Sequence, residues 1–267
     1  MKAVPLDKFF ATNTEYETGE RYALVIRKVG TDVAQDVTLR AGKKIGLPFK
    51  SLFAPVQRTS SNALGPLDLK DMYLVVPPET EFKFESAGSG VVRCIGEVLL
   101  LEPGERMPSQ YWDRYDAMGM RGITYLEYSK SLATDEVWAA KREVEVGSVK
   151  PSTIEQYTLN NVVMASISGD TVSYGDFGLI LKVDSVPVEY LSAPGGKDGV
   201  DVLSCPRPPN ATDGEIPFTL ADKPVVVKGD HTLSVVVKNI SGTDKAPASG
   251  SAWSVTVTLV VEYLRRE

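Results

Sequence analysis

His231 is the single histidine in 267 residues. It opens an alternating apolar stretch, Thr232-Leu-Ser-Val-Val-Val237, on its polar side. A histidine-dependent nucleophilic triad needs that ring as a base within hydrogen-bond reach of a hydroxyl or thiol. The best internal match of the stretch puts Thr80 at the same place, so His231 reads as an exposed surface residue. Cys94 falls inside a strand pattern, where a small buried hydrophobe is the default. Cys205 lies in a Gly/Pro-rich loop, and a bridge between the two is disfavoured in a reducing compartment. Scattered His and Cys without close spacing do not make a transition-metal site.

Asp198, Asp201, Asp213 and Glu215 share one glycine-containing loop. They lack EF-hand spacing and read as turn aspartates bonded to their own backbone, with calcium as the alternative. Gly195-Gly196 and Gly88-Ser-Gly90 lack the strand-to-helix setting of a phosphate loop. Asn210-Ala-Thr212 and Asn239-Ile-Ser241 match the glycosylation acceptor pattern. Nothing selects a glycosidase pair from 35 acidic residues. The expectation is therefore no catalytic residue, no cofactor and no metal. Tyr111, Trp112, Tyr115, Tyr125, Tyr128 and Trp138, with Arg114 and Arg121, form the most distinctive composition in the chain. Aromatics with arginine are what interfaces favour. Three readings stand open for them: cover over a sandwich end or packing between domains, a subunit interface, or sugar stacking.

The elements that would position these residues are strands. Tyr22–Val29 and Val37–Leu39 are rich in β-branched residues and end in Gly-containing turns. Phe82 and Phe84 alternate with Glu81, Lys83 and Glu85, the period of a half-buried strand. Val91–Leu101 returns beside it after Ala87-Gly-Ser-Gly90. Residues 1–20 read as an arm or edge, and 43–65 as a long loop around short extended pieces. Gln110–Met118 lacks β-branched residues and is the expected helix, broken by Gly119 and Gly122. Glu136–Val146 alternates as a strand would. Further strands follow at Asn161–Ile167 and Phe177–Val183, then a long loop at 193–213 and a final hairpin with Leu233, Val235 and Val237 on one face and Val255, Val257, Leu259 and Val261 on another.

Part of this pattern occurs twice. Residues 66–84 lie ungapped over 217–235, with Pro66/Pro217, Leu69/Leu220, Asp71/Asp222, Val75/Val226 and Val76/Val227 identical. Leu67/Phe218, Leu74/Val225, Glu79/Asp230, Phe82/Leu233 and Phe84/Val235 keep their character. In the same order, Tyr22–Arg27 lies over Phe177–Lys182 and Val98–Glu102 over Thr258–Glu262. A repeat this long means a duplicated domain, since solenoid and propeller units run to about 20–50 residues. Short strands, long Pro/Gly connections and almost no crossover helix exclude parallel sheets. The expected fold is all-β: two tandem antiparallel β-sandwiches of jelly-roll type related by internal duplication, at 1–105 and 158–267, with a connecting segment of little helix at 106–157.

Composition sets the remaining bounds. Apolar content of 43% and charged content of 24% are those of a globular protein. A net charge of −6 argues against a surface covering nucleic-acid phosphates. The one cationic cluster, Arg265-Arg266, reads as a solvated tail, with contact to an anionic partner as the alternative. No apolar run reaches the roughly 18 residues of a membrane span, and the N-terminus has no secretory apolar core, so synthesis in a cytosol is expected.

In layout, two tandem sandwiches in an acidic chain that closes its second half with the long hairpin Leu233–Lys238 and Trp253–Tyr263, the sequence resembles the small double jelly-roll major capsid proteins of tailless icosahedral viruses. The resemblance rests on topology and size and carries no diagnostic motif. Members often have a helix before the last strands of each barrel, where 43–65 and 193–213 are rich in Pro and Gly; this departure points to a vertex, turret, spike or decoration role as well as the shell. The resemblance implies a non-enzymatic virion protein made in the host cytoplasm. It also implies a homotrimer that meets other virion proteins but not nucleic acid directly, with or without a membrane beneath the shell. A carbohydrate-binding or carbohydrate-cleaving sandwich is the rival, and a surface or fibre adhesin module a third reading.

Overall fold

A computed structural model of the chain describes residues 1–56, 66–188, 198–205, 218–219 and 224–266. The chain divides into two compact units, one built mainly from Met1–Thr124 and the other from Tyr125–Pro208 and Glu215–Glu267. The segment 106–157 is thus not a separate connector. Its first part, through Thr124, belongs to the first unit and its remainder to the second.

The first unit contains β1 (Lys2–Ala11), β2 (Tyr16–Glu17), β3 (Tyr22–Thr31), β4 (Val37–Ala41), β5 (Lys44–Ile45), β6 (Leu67–Asp68), β7 (Leu74–Val76), β8 (Glu81–Ser86) and β9 (Val91–Leu100). One sheet has the order β1-β9-β3-β6, with β7 also on β3, and the other β2-β8-β4-β5. The chain crosses repeatedly from one sheet to the other and the last strand returns beside the first, which is jelly-roll wiring. All the strand pairs are antiparallel. The inward face of β8 holds the sheets together: Phe82 and Phe84 meet Phe10 of β1 at ring-centroid distances of 5.4 and 5.8 Å. Fully burying a ring such as Phe84 contributes about 1.5–3 kcal/mol. β1 is an edge strand, as expected, and carries Lys2, Asp7 and Lys8 with Pro5, the residues that discourage further pairing.

Following β10 (Arg121–Ser131), the second unit contains β11 (Glu143–Val149), β12 (Glu155–Ser168), β13 (Phe177–Val183), β14 (Val186–Pro187), β15 (Val200–Asp201), β16 (Phe218–Thr219), β17 (Val225–Lys228), β18 (Leu233–Asn239) and β19 (Ser254–Arg265). Its sheets run β10-β19-β12-β16, with β17 also on β12, and β11-β18-β13-β14, with β15 also on β13. This repeats the wiring of the first unit, with β15 as an added short strand. The register agrees too. Ile26 opposes Leu74 as Leu159 opposes Val225, and in both units the strand bulges at the next residue against its other neighbour. Leu39 opposes Phe84 as Leu181 opposes Val235. Glu79 and Asp230, matched in sequence, both take a left-handed backbone, with φ of 51° and 68°, which is uncommon for residues other than glycine.

Two sequence matches need correction. Tyr22–Arg27 belongs to β3, whose counterpart is β12; Phe177–Lys182 lies in β13, whose counterpart is β4. Apolar alternation alone cannot tell these strands apart, because both central strands of a sandwich carry it. The match of Val98–Glu102 to Thr258–Glu262 has the right strand but the wrong register. Val98 opposes Leu24, and the residue in the matching place is Tyr263, opposite Tyr157. The predicted strand at Glu136–Val146 is also shorter at its start: β11 begins at Glu143, and Trp138 pairs only in an isolated bridge with Lys245.

The second core is anchored by indoles. Trp138 and Trp253 flank Phe177 at 4.9 and 5.3 Å, and their Nε1–H groups donate to the carbonyls of Arg142 and Lys245. Asn239 is fully buried, its amide donating to the carbonyls of Trp138 and Thr243 at 2.8 Å each. Beside it, Asp176 is 7% exposed, accepts from Ser173 N–H at 2.8 Å and pairs with Lys245 Nζ at 2.6 Å. Burial works to raise the Asp176 carboxyl, but the Lys245 bond and the Ser173 amide outweigh it and hold it below the ordinary carboxylate value. A carboxyl depressed in the folded state contributes stability above its unfolded pKa and loses it as pH falls through the folded one. Asp176→Asn is expected to cost about 1–3 kcal/mol at pH 7. Urea unfolding at pH 7 and pH 3 checks this: the gap between wild type and variant narrows at pH 3.

Candidate functional site

The helix of the first unit, α1 (Ser109–Asp116), has no counterpart among the described residues of the second, and four of the candidate interface residues, Tyr111, Trp112, Arg114 and Tyr115, lie on it. It forms where β-branched residues are lacking, and the chain leaves it through Gly119 at φ +81°. A Cβ at Gly119 would stand 2.5 Å from the carbonyl oxygen of Ile45, so this exit also packs the chain against β5.

The helix is fastened by its inner face. Tyr111 is 7% exposed and joins Ala23, Val25, Val75, Leu99 and Met107 in one apolar cluster, with Tyr73 edge-on at 6.2 Å. Tyr115 donates its hydroxyl to the Ala41 carbonyl of β4 at 3.0 Å, while Arg114 reaches the other sheet beside β7. Arg114 is the unusual group. It is 7% exposed, and its guanidinium donates from Nε to Tyr73 O at 2.6 Å and from Nη2 to Met72 O at 3.1 Å and Arg121 O at 2.7 Å. All three acceptors are neutral carbonyls. Its Nη1 is buried with no hydrogen-bond partner among the described residues. Burial, and secondarily Arg121, lower its pKa to about 10.

Of the remaining candidates, Trp112 stays at the surface, 41% exposed, with the Tyr115 ring edge-on at 5.9 Å. Tyr125 is half-buried on β10. Tyr128 packs against the second core, where burial pushes its hydroxyl to about 12. Trp138 is inside that core. The structure thus assigns Tyr111, Arg114 and Tyr115 to one helix of the first unit and Tyr128 and Trp138 to the packing of the second. Composition marked these residues, but the orphaned Arg114 nitrogen needed the tertiary fold, because the acceptors of the other guanidinium nitrogens come from two separate places in the chain, Met72–Tyr73 and Arg121.

The residues with chemistry elsewhere are engaged structurally. His231 lies at the surface with Nδ1 2.5 Å from Asp184, which also accepts from Thr232 N–H at 2.8 Å. Cys94 and Cys205 are free and buried, with both thiols pushed up by desolvation, Cys205 to about 12. Asp201 accepts from Leu203 N–H at 2.8 Å and from Gly175 N–H, as a turn aspartate does, while Asp198 pairs with Lys238. Asp213, Glu215, Asn210 and most of the 193–213 loop lie outside the described residues. Asn239, in the second acceptor pattern, has its amide committed inside the core. Among the described residues no cluster of three or more His, Cys, Asp or Glu could hold a metal ion, and no helix is long and apolar enough to cross a membrane.

No protein-family model matches the chain, and no curated protein matches it in sequence. Among solved structures it is similar to A223, a turret protein of Sulfolobus turreted icosahedral virus, at 11% identity over 99% of this chain and 100% of that one, with a TM-score of 0.23. It is similar to the ANX2 ectodomain of Arabidopsis thaliana at 8% identity, over 93% and 83% of the two chains, with a TM-score of 0.27. A structure of infectious bursal disease virus, Gx strain, matches at 8% identity over 99% and 77%, with a TM-score of 0.18. With TM-scores this low, none of these bears on what the chain does.

Proposed function

We propose that this chain is a non-enzymatic structural protein of a virus particle. In this reading it is made in the host cytoplasm and assembles with copies of itself, as a trimer, and with other virion proteins into a shell or a vertex or decoration structure. The observation that carries the reading is the jelly-roll wiring of both units, with the same strand pairings and the same bulge after Ile26 and after Leu159. Such agreement in register supports tandem duplication of one ancestral jelly roll. Jelly rolls build viral capsids and lectins alike. Two similar lobes per chain favour the capsid role, because closure by three-fold symmetry presents six similar lobes, which tile a hexagonal lattice. The buried thiols and the surface His231–Asp184 pair support a chain without nucleophilic chemistry.

Exposed Trp112 beside Tyr115 is the observation that favours the second reading, carbohydrate binding. Light scattering over a concentration series, with negative-stain imaging and an oligosaccharide binding screen, separates the two. The expected result is a mass three times the 29.0 kDa chain, or a lattice. A stable monomer that binds oligosaccharide overturns the assembly reading.

A further inference from the structure

The two units differ on the outer face of one matched sheet. In the first, Val75, Val25 and Glu97 lie side by side across β7, β3 and β9, with Ala23 and Leu99 the next pair on that side. α1 covers this face: Tyr111 and Met107 join Ala23, Val25, Val75, Leu99 and Leu101 in one apolar cluster, and Val75 is fully buried. In the second unit the matching rows are Val226, Thr158 and Glu262 across β17, β12 and β19, then Lys228, Gln156 and Leu264. The backbone bond at the margin is kept, Leu101 N–H to Arg21 O in one unit and Arg266 N–H to Ile154 O in the other. Among its described residues, however, the second unit has no α-helix to lie there. Val226, identical to Val75 in the sequence match, is 43% exposed, and Ile154 is 39% exposed. Lys228 and Arg266 are exposed beside them, in no ion pair with a described residue.

We propose that this uncovered face of the second unit is the docking surface for the outward face of α1 of another copy of the chain. The two surfaces are complementary. Ser109, Trp112, Asp113 and Asp116 recur at helical spacing, so they share one side of α1, and all four are exposed. Trp112 supplies a large aromatic side chain for Val226 and Leu264. Asp113, in no ion pair with a described residue, and Asp116, which meets Lys44 at 3.3 Å, supply negative charge for Lys228 and Arg266. An aromatic anchor with charges at its rim is the anatomy of a specific interface, and opposite charge fixes its register. The occupant is a second copy because one chain displays both halves of the contact. This docking rests on the self-assembly reading and gives it an interface. It joins two different surfaces, so it is a heterologous contact, the kind that closes into rings.

Light scattering over a concentration series compares the full chain with Trp112→Ala, Asp113→Lys, Lys228→Glu and the Asp113→Lys/Lys228→Glu double variant. Trp112→Ala is expected to weaken association about thirtyfold, the factor of a hot-spot aromatic. Each charge reversal is expected to weaken it about tenfold, and the double variant to return toward wild type. The substituted side chains are exposed, so urea midpoints stay at the wild-type value. Should a variant not fold, chains carrying Ser109→Cys are mixed with chains carrying Val226→Cys and oxidised; a crosslinked pair on a non-reducing gel supports the docking. The native Cys94 and Cys205 are buried and stay out of that reaction. Assembly unchanged in every variant, with no crosslink, overturns the docking and leaves self-assembly standing. A wild-type chain that is monomeric at every concentration overturns both. Oligosaccharide binding lost in Trp112→Ala, with assembly intact, overturns the docking and assigns that face of α1 to sugar.

Discussion

Trp253→Ala is expected to remove about 3–5 kcal/mol of stability, a large part of the roughly 5–15 kcal/mol that holds a typical domain folded. The indole is 1% exposed and lies edge-on to Phe177, which also meets Trp138, so truncation opens a cavity in the middle of the second core. The loss has two parts. The lost ring volume accounts for most of it, and the Lys245 carbonyl, which accepts from Nε1–H at 3.1 Å, is left without that donor. Trp253→Phe keeps much of the volume and removes the donor, so it is expected to cost about 1–3 kcal/mol. Urea unfolding of both variants measures the two parts. Equal losses from Phe and Ala would show that the hydrogen bond, and not the packing, carries the site.

Gly96→Ala is expected to be as severe for a different reason. β9 passes the bulge of β3 at Gly96, and a Cβ there would sit 2.0 Å from the Val25 carbonyl oxygen and 3.0 Å from the Arg27 amide nitrogen. Both are backbone atoms held in the ladder, so neither can swing aside as a side chain would. Relief requires the bulge to open, at the cost of adjacent strand hydrogen bonds, and a loss of about 3 kcal/mol or more is expected. Gly104→Ala is the control. Its φ is +81° and a Cβ there would meet nothing within 4 Å, so only backbone strain remains, about 1 kcal/mol. Soluble yield and urea midpoints compare the two. A Gly96→Ala protein as stable as the Gly104→Ala protein would mean that β3 and β9 do not meet in this register.

The aromatic and arginine candidates show how composition and placement differ. Their abundance between the two halves is visible as residue types. That Trp138 fills a core, that Trp112 stays outside and that Arg114 keeps an unmatched nitrogen depend on which strands surround them. The His231–Asp184 pair is of the same kind: the residues lie far apart in the chain and meet because β13 and β18 are neighbours.

The chain by itself determined the class of fold, because strand periodicity, turn residues and the ungapped match of 66–84 to 217–235 are local properties of the backbone and its side chains. The same match placed β6, β7 and β8 over β16, β17 and β18, and Glu79 and Asp230 share a left-handed backbone there. Only the tertiary structure decided the counterparts of β3 and β4 and the register of β9 against β19. These depend on which strands pair across the sheet, and an apolar alternation fits either central strand or a slid register equally well. The unpartnered Arg114 nitrogen belongs to the tertiary side as well, since a buried charge is recognised by the partners that long-range packing gives it or withholds.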